Sequence, residues 1–217
     1  KKLKDCNLDR IGATLSFQSL SPEVLKNIGR QNISLSFFSD LMNLYNEAGI
    51  PTYTELILGL PGETVDSIVD SLDKLLVLGQ HNSIMIHNCE WLPCAIMGQP
   101  EYVEKYKIKK CNIPLNQPHR DINDIDEVQE YSSIVTSTYS MTENDWKKMN
   151  LISAVVQGCH HMGILQFFAL YLYNEGLSSY KNFYCSLVDY FYVRPETVAG
   201  KTLHCIEAQL DEVLCEK

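Results

Sequence analysis

Glu55 is the residue in this sequence whose placement most needs a chemical reason. It sits inside the run Tyr53-Thr54-Glu55-Leu56-Ile57-Leu58, and a carboxylate held among apolar neighbours is costly unless something pairs with it. Period-two alternation puts Glu55, Ile57 and Gly59 on one face, and Leu56 and Leu58 on the other. Residues 11–18 alternate in the same way, with Thr14, Ser16 and Gln18 sharing one face and Leu15 and Phe17 the other. If the leucine faces pack against helices, Ser16, Gln18, Glu55 and Ile57 look into a common interior near the C-terminal strand ends. Small-molecule sites of parallel α/β proteins gather there. Gln18 offers both a donor and an acceptor. Each residue also has a plainer reading: Gln18 as a polar strand end, Glu55 as half of a structural ion pair, and Arg30 as a helix-end cation that complements the helix dipole.

Other residues able to do chemistry are less well arranged. The eight cysteines, at 6, 89, 94, 111, 159, 185, 205 and 215, are scattered. Cys89 and Cys94 frame Glu90-Trp91-Leu92-Pro93, but no C-x2-C pair and no C-x3-C-x2-C triplet occurs, so spacing provides no cluster or zinc ligands. Buried free thiols in a reducing cytoplasm are the expectation. His160 and His161 are adjacent on an expected helix and point about 100° apart, a poor arrangement for one metal. His87, at the end of a short strand, is a better site candidate, although a core or rim histidine explains it too. Glu63 and Thr64 read as the acid and cap that open a helix.

The elements that must position these residues follow from the same patterns. After the strand at 11–18, Ser21-Pro22-Glu23 opens a helix with Ser as N-cap and Pro in the first turn. Ser36 to Ala48 reads as a second helix stopped by Gly49, with Phe37, Phe38, Leu41, Leu44 and Tyr45 at helical spacing. Strand Tyr53 to Leu58, the turn Gly59-Leu60-Pro61-Gly62, a helix from Glu63 to Leu78 and a strand at 83–88 complete a β-α-α-β-α-β order. That order predicts a parallel sheet. The pattern changes near residue 95. Residues 96–141 read as an irregular connection containing one candidate strand, Tyr131 to Thr138. From Thr142 onward the sequence is helical, over about 142–159, 163–174, 179–191 and 195–215, with Thr142 and Asp145 forming a capping box. The expected organisation is therefore a strand–helix part at 1–95, the connection, and a helical extension at 142–217.

The segment Ser16-Phe17-Gln18-Ser19 running into Leu25-Lys26-Asn27-Ile28-Gly29-Arg30, then Glu55-Leu56-Ile57-Leu58-Gly59-Leu60-Pro61-Gly62-Glu63-Thr64, resembles the radical S-adenosylmethionine (SAM) superfamily. The likeness is to its branch of oxygen-independent coproporphyrinogen oxidase and the methylthiotransferases. It covers residues 10–95. It implies an α/β fold, the C-terminal part of a radical SAM (βα) partial TIM barrel, followed by a mostly helical extension. It also implies an enzyme that reductively cleaves SAM at a [4Fe-4S] cluster to start radical chemistry on a small-molecule substrate. The cofactor-binding residues implied are Ser16, Gln18, Arg30, Glu55, Ile57 and Gly59. Gln18 would hold the ribose or methionine groups, Arg30 would neutralise the methionine carboxylate, and Glu55 would take ribose hydroxyls or the amino group. Ile57 would pack on adenine, and Gly59 would let the backbone approach. The cluster ligands would lie outside this chain, in an N-terminal part of the same enzyme, and the chain alone would be inactive. The sequence departs from the wider superfamily motif, which has Gly where Glu55 stands and its acid one position before Glu63. The region after 95, with Pro100-Glu101-Tyr102 and Trp146, is similar to the C-terminal extension of cobalamin-binding-domain radical SAM proteins. That similarity implies methyl transfer or a rearrangement, and a cobalamin domain, again outside this chain.

Composition bounds the partners. The 217 residues are 45% hydrophobic and 21% charged, with a formal net charge of −9. The acidic balance argues against a broad nucleic-acid surface. No stretch reaches the ~20 apolar residues of a membrane span. The competing class is a non-catalytic module in which the aromatic-rich helices at 142–217 bind a protein partner and the βα segment serves as scaffold.

Overall fold

The computed structural model describes residues 12–115 and 129–215. Cys6, Ile11 and the stretch 116–126 of the expected connection lie outside the described residues. Three strands, β1 (Ala13–Thr14), β2 (Thr52–Leu58) and β3 (Ile84–Asn88), form a parallel sheet in the order β1-β2-β3. Ala13 pairs with Thr52, Glu55 with Met85 and Ile57 with His87. The connections carry α1 (Pro22–Asn27), α2 (Leu35–Ala48) and α3 (Val65–Val77). The expected α/β alternation with a parallel sheet is therefore present.

The first strand is much shorter than the pattern at 11–18 predicts. Backbone pairing with β2 continues past Thr14, because Leu15 N–H donates to Tyr53 O at 2.9 Å. Ladder geometry then breaks at Phe17 and Gln18. Both of their amides donate to the carbonyl of Glu55, at 3.2 and 3.0 Å, and Gln18 takes a left-handed φ of 65°. Two residues facing one is the arrangement of a β-bulge, which re-aims a side chain at the cost of the regular ladder.

Burial follows the alternation on β2. Thr52, Thr54, Leu56 and Leu58 are buried, while Tyr53, Glu55 and Ile57 are half-buried. On α2 the inward stripe is Phe38 and Met42; Phe37 and Leu44, which the helical spacing also assigns to it, are exposed. Phe17 meets Phe38 edge-on with ring centroids 4.8 Å apart. The inner face of α3 (Ile68, Leu72, Leu75 and Leu76) completes this side of the core. Buried Gln80 satisfies two threonines of β2, donating to Thr54 Oγ1 at 2.7 Å and accepting from Thr52 Oγ1 at 3.1 Å.

Residues 96–141 are more regular than expected. A 3-10 turn (Ile96–Gly98) leads into α4 (Pro100–Tyr106), and β4 (Lys109–Pro114) pairs antiparallel with β5 (Tyr131–Ser137). The period was hidden because β4 buries only Cys111 and shows Lys109, Lys110 and Asn112 to solvent. This second, two-stranded sheet touches the chain just past β3 through one bridge: Trp91 N–H donates to Ser133 O at 2.7 Å and Val135 N–H to Cys89 O at 2.8 Å. Gly59 lies at this junction with φ of 95°, and a Cβ there would sit 3.0 Å from the Val135 carbonyl.

The helical extension comprises α5 (Glu143–Val156), a π-helical turn (Gln157–His161), α6 (Gln166–Asn174), α7 (Tyr180–Tyr192) and α8 (Val198–Cys215). Thr142 and Asp145 form the expected capping box. The change to helices does not interrupt the core, since Trp146, Met149, Ile152 and Val156 join the same apolar cluster as Leu56, Leu72 and Leu76. At the N-terminal end of β3, His160 is fully buried, with Nε2 3.1 Å from His81 Nδ1 and Nδ1 2.6 Å from the Tyr184 hydroxyl. Burial drives the His160 pKa down to about 3, helped by His161 and His81. The aromatic residues of 167–192 divide: Tyr180 and Tyr184 are packed, while Phe167, Phe168 and Tyr171 are exposed. No single helix among the described residues is long and apolar enough to cross a membrane. Replacing Tyr184 by Phe keeps the ring and strands His160 Nδ1 without its buried partner. Urea unfolding at pH 7.5 should show a loss of about 1–2 kcal/mol; an unchanged midpoint would mean that this bond does not contribute.

Candidate functional site

The bulge and the end of α1 together build a groove over the open face of the sheet. Ser21 caps α1, with its Oγ 3.5 Å from the Val24 amide and Pro22 in the first turn. At the other end Gly29 adopts a φ of 66°. Its amide donates to Lys26 O at 3.3 Å, and the Arg30 amide donates to Leu25 O at 2.9 Å. That is the Schellman pattern, in which glycine supplies the left-handed residue and the chain reverses. The reversal brings Arg30 back over β1.

There the predicted residues meet. Arg30 Nη2 donates to the Ser16 carbonyl at 3.0 Å, and Ser16 Oγ donates to Glu55 Oε2 at 2.5 Å. Arg30 Nε donates to Asn32 Oδ1 at 3.1 Å. Two adjoining openings flank this chain of bonds. One, of about 540 Å³, is walled by Ile28, Gly29, Arg30 and Gln31. The other, of about 530 Å³, is walled by Glu55, His87, Asn88, Glu90 and Met97. Gln18, Ile57 and Leu60 line both, so the two form one groove with Gln18 at its middle.

Not every predicted residue lies in that groove. Ser16 lines neither opening and acts through Glu55. Gly59 lines neither opening, and the space where its Cβ would stand is filled by Val135 O and Cys89 Cβ, at 3.0 and 3.3 Å. Its glycine requirement comes from the hairpin. His87 is exposed on the open face of the sheet, and Glu90 accepts from Ser132 Oγ at 2.6 Å on the groove rim. Cys89 also lines the groove, but burial, aided by the Glu90 charge, pushes its thiol up to about 12, so it stays protonated.

Several contributors carry no sequence signal that the period reveals. Asn88 accepts from Trp146 Nε1 at 2.8 Å and donates to Asn150 Oδ1 at 3.1 Å, so α5 holds the end of β3. Asn27 donates to Pro61 O at 3.0 Å and accepts from the Tyr106 hydroxyl at 3.3 Å, and its carbonyl accepts from Tyr102 at 3.1 Å. These bonds tie the lip that carries Arg30 to α4 and the Gly59–Gly62 turn. Glu63 corrects the expectation of a helix-start acid: Thr64 caps α3, and Glu63 is fully buried, bonded to Ser67 with Oε2 lacking a partner. Burial raises its pKa to about 7, against the lowering effect of hydrogen bonds from Ser67 and Ser19.

The chain is thus an α/β protein whose parallel sheet leaves one face open to a groove, with a bonded Arg–Ser–Glu chain at the strand ends. No model of a known protein family matches the chain. It is 34% identical over 190 residues to the cobalamin-dependent radical SAM methyltransferase TokK of Streptomyces tokunonensis, covering 88% of this chain and 28% of that protein. It is 33% identical over 190 residues, with the same coverage, to 2-(S-pantetheinyl)-carbapenam-3-carboxylate methyltransferase of Streptantibioticus cattleyicolor. The chain therefore spans about 28% of the length of these relatives. Among solved structures it resembles coproporphyrinogen III oxidase (HemN) of Escherichia coli, at 23% identity and a TM-score of 0.37, over 45% of this chain and 23% of that one. It also resembles the radical SAM methyltransferase TsrM of Kitasatospora setae, at 15% identity and a TM-score of 0.44, over 64% and 30%. On the strength of the sequence relatives, the chain belongs to the radical SAM superfamily.

The buried Glu63 makes stability depend on pH with a definite sign. Its folded pKa lies above the unfolded value, so its contribution is complete below about 4.5 and is lost as pH rises to about 7. Glu63→Gln does not titrate. Relative to the native chain it should gain on the order of 3 kcal/mol between pH 4.5 and 8. Urea unfolding at the two pH values reads this directly, and a constant difference between the proteins would contradict a neutral buried carboxyl.

Proposed function

We propose that this chain supplies a SAM-binding wall of a cobalamin-dependent radical SAM methyltransferase acting on a small molecule. The observation that carries the reading is the continuous groove that Arg30 after α1, Gln18 in the bulge and Glu55 on β2 line in succession. Arg30 has two nitrogens committed to the protein and keeps Nη1 without a partner among the described residues, ready for the methionine carboxylate. Gln18, turned by the bulge, presents an amide that bonds to no described residue. It suits the mixed donors and acceptors of the ribose and amino acid. Glu55 spends Oε2 on Ser16 and leaves Oε1 for hydroxyl or ammonium donors. Ile57 gives the adenine an apolar surface. The groove continues past Glu55 to His87 and Glu90, leaving room for the methyl acceptor beside SAM.

The described residues fit SAM but not an iron–sulfur cluster. No group of three or more His, Cys, Asp or Glu among them is placed to hold a metal ion. In the proposed enzyme, a cluster and cobalamin held by residues other than those described would supply the electron and the methyl-carrying chemistry. What this chain does is bind and orient SAM and keep water from its buried side. A second reading has one observation in its favour: Met162, Ile164, Phe167, Phe168 and Tyr171 expose an apolar surface around the start of α6, which suits a protein contact.

Calorimetric titration of the intact chain with SAM tests the proposal. The native chain should bind, and Glu55→Ala should weaken binding by roughly 10- to 150-fold, the worth of one hydrogen bond to a charged group. Absence of heat at millimolar SAM, or equal affinity in the variant, removes this reading.

A further inference from the structure

We infer that Asn32 is a positioning residue, which fixes the Arg30 guanidinium so that the groove selects ligands bearing a carboxylate. The inference rests on the proposed SAM site and adds to it a residue outside the motif that suggested the family. Asn32 is half-buried in the turn between α1 and α2 and lines neither opening of the groove. Its side-chain amide is used at both ends. Oδ1 accepts from Arg30 Nε at 3.1 Å, and Nδ2 donates to the Ser19 carbonyl at 2.8 Å. Rotating the amide by half a turn would set N–H against N–H and oxygen against oxygen, so only one orientation satisfies both bonds.

The anchor at Ser19 is rigid. Ser19 is fully buried, and its Oγ accepts from the Ser21 amide at 3.1 Å. Asn32 therefore connects Arg30 to the buried segment that opens α1, while Ser16 holds the other side of the guanidinium through its carbonyl at Nη2. An arginine free to rotate loses considerable side-chain entropy when it grips a carboxylate. Held at Nε and Nη2, Arg30 has already lost that freedom, so the carboxylate gains more of the contact energy.

The test compares two probes, SAM and decarboxylated SAM, which differ only in the group Arg30 would read. Equilibrium binding is measured on the intact chain. The native chain should prefer SAM. Asn32→Ala should weaken SAM by about 5- to 10-fold and leave decarboxylated SAM within about twofold. Asn32→Asp keeps the size and the acceptor for Arg30 Nε, gives up the bond to Ser19 O and sets an anion against the guanidinium; it should erase the preference at least as fully. Equal weakening of both probes in both variants would show that Asn32 only shapes its loop, and would overturn the inference. So would an unchanged preference, or no preference in the native chain. If the native chain binds neither probe, the SAM reading itself fails and this inference goes with it.

Discussion

Two successive amides sharing the carbonyl of Glu55 is the constraint on which the groove depends. A regular parallel ladder would have placed Gln18 on the same face as Ser16, one step further along. Spending one acceptor on Phe17 and Gln18 together forces Gln18 into the left-handed region, which an L-residue occupies at some cost. Phe17 stays in the core against Phe38, and Gln18 is released to the middle of the groove. The pairing resumes at once, with the Ile57 amide donating to Gln18 O at 2.8 Å, so the irregularity is confined to a single step.

The rest of the site is held by short local devices rather than by one framework. A Schellman turn returns Arg30 to β1, Asn27 ties that turn to α4, and the Asn88–Trp146 bond fixes the far wall from α5. The helices after Thr142 are therefore part of how the strand ends are positioned. A common apolar core runs from Phe17 through Leu76 to Trp146 and Leu203.

Much of this was legible in the sequence, and the failures have physical causes. Alternation along Glu55–Leu58 gave the correct faces because β2 is covered on one side and open on the other. The helix starts at Ser21, Thr64 and Thr142 were legible because capping is a local interaction between near neighbours. The strand at 11–18 was overestimated because a bulge depends on the partner strand, which a linear pattern does not contain. The pair α4 and β4 was missed because α4 is short and β4 shows a mostly polar surface. The packing of Gly59 against Val135 was not legible, because it is a contact between distant segments. Glu63 looked like an ordinary first-turn acid, since nothing in its immediate neighbours announces that the chain folds over it.

The widened turn at Gln157–His161 has a consequence for how this chain can vary. A π-helical turn carries one more residue than the α-helical turn it replaces, and here the extra residue sets the angular phase that puts His160 between His81 and Tyr184. Deleting one residue from 157–159 would let the turn close as ordinary α-helix and rotate that imidazole by about 100°, away from both partners. Length, more than side-chain identity, is what this segment must preserve, so tolerated insertions and deletions belong on either side of it and not within it.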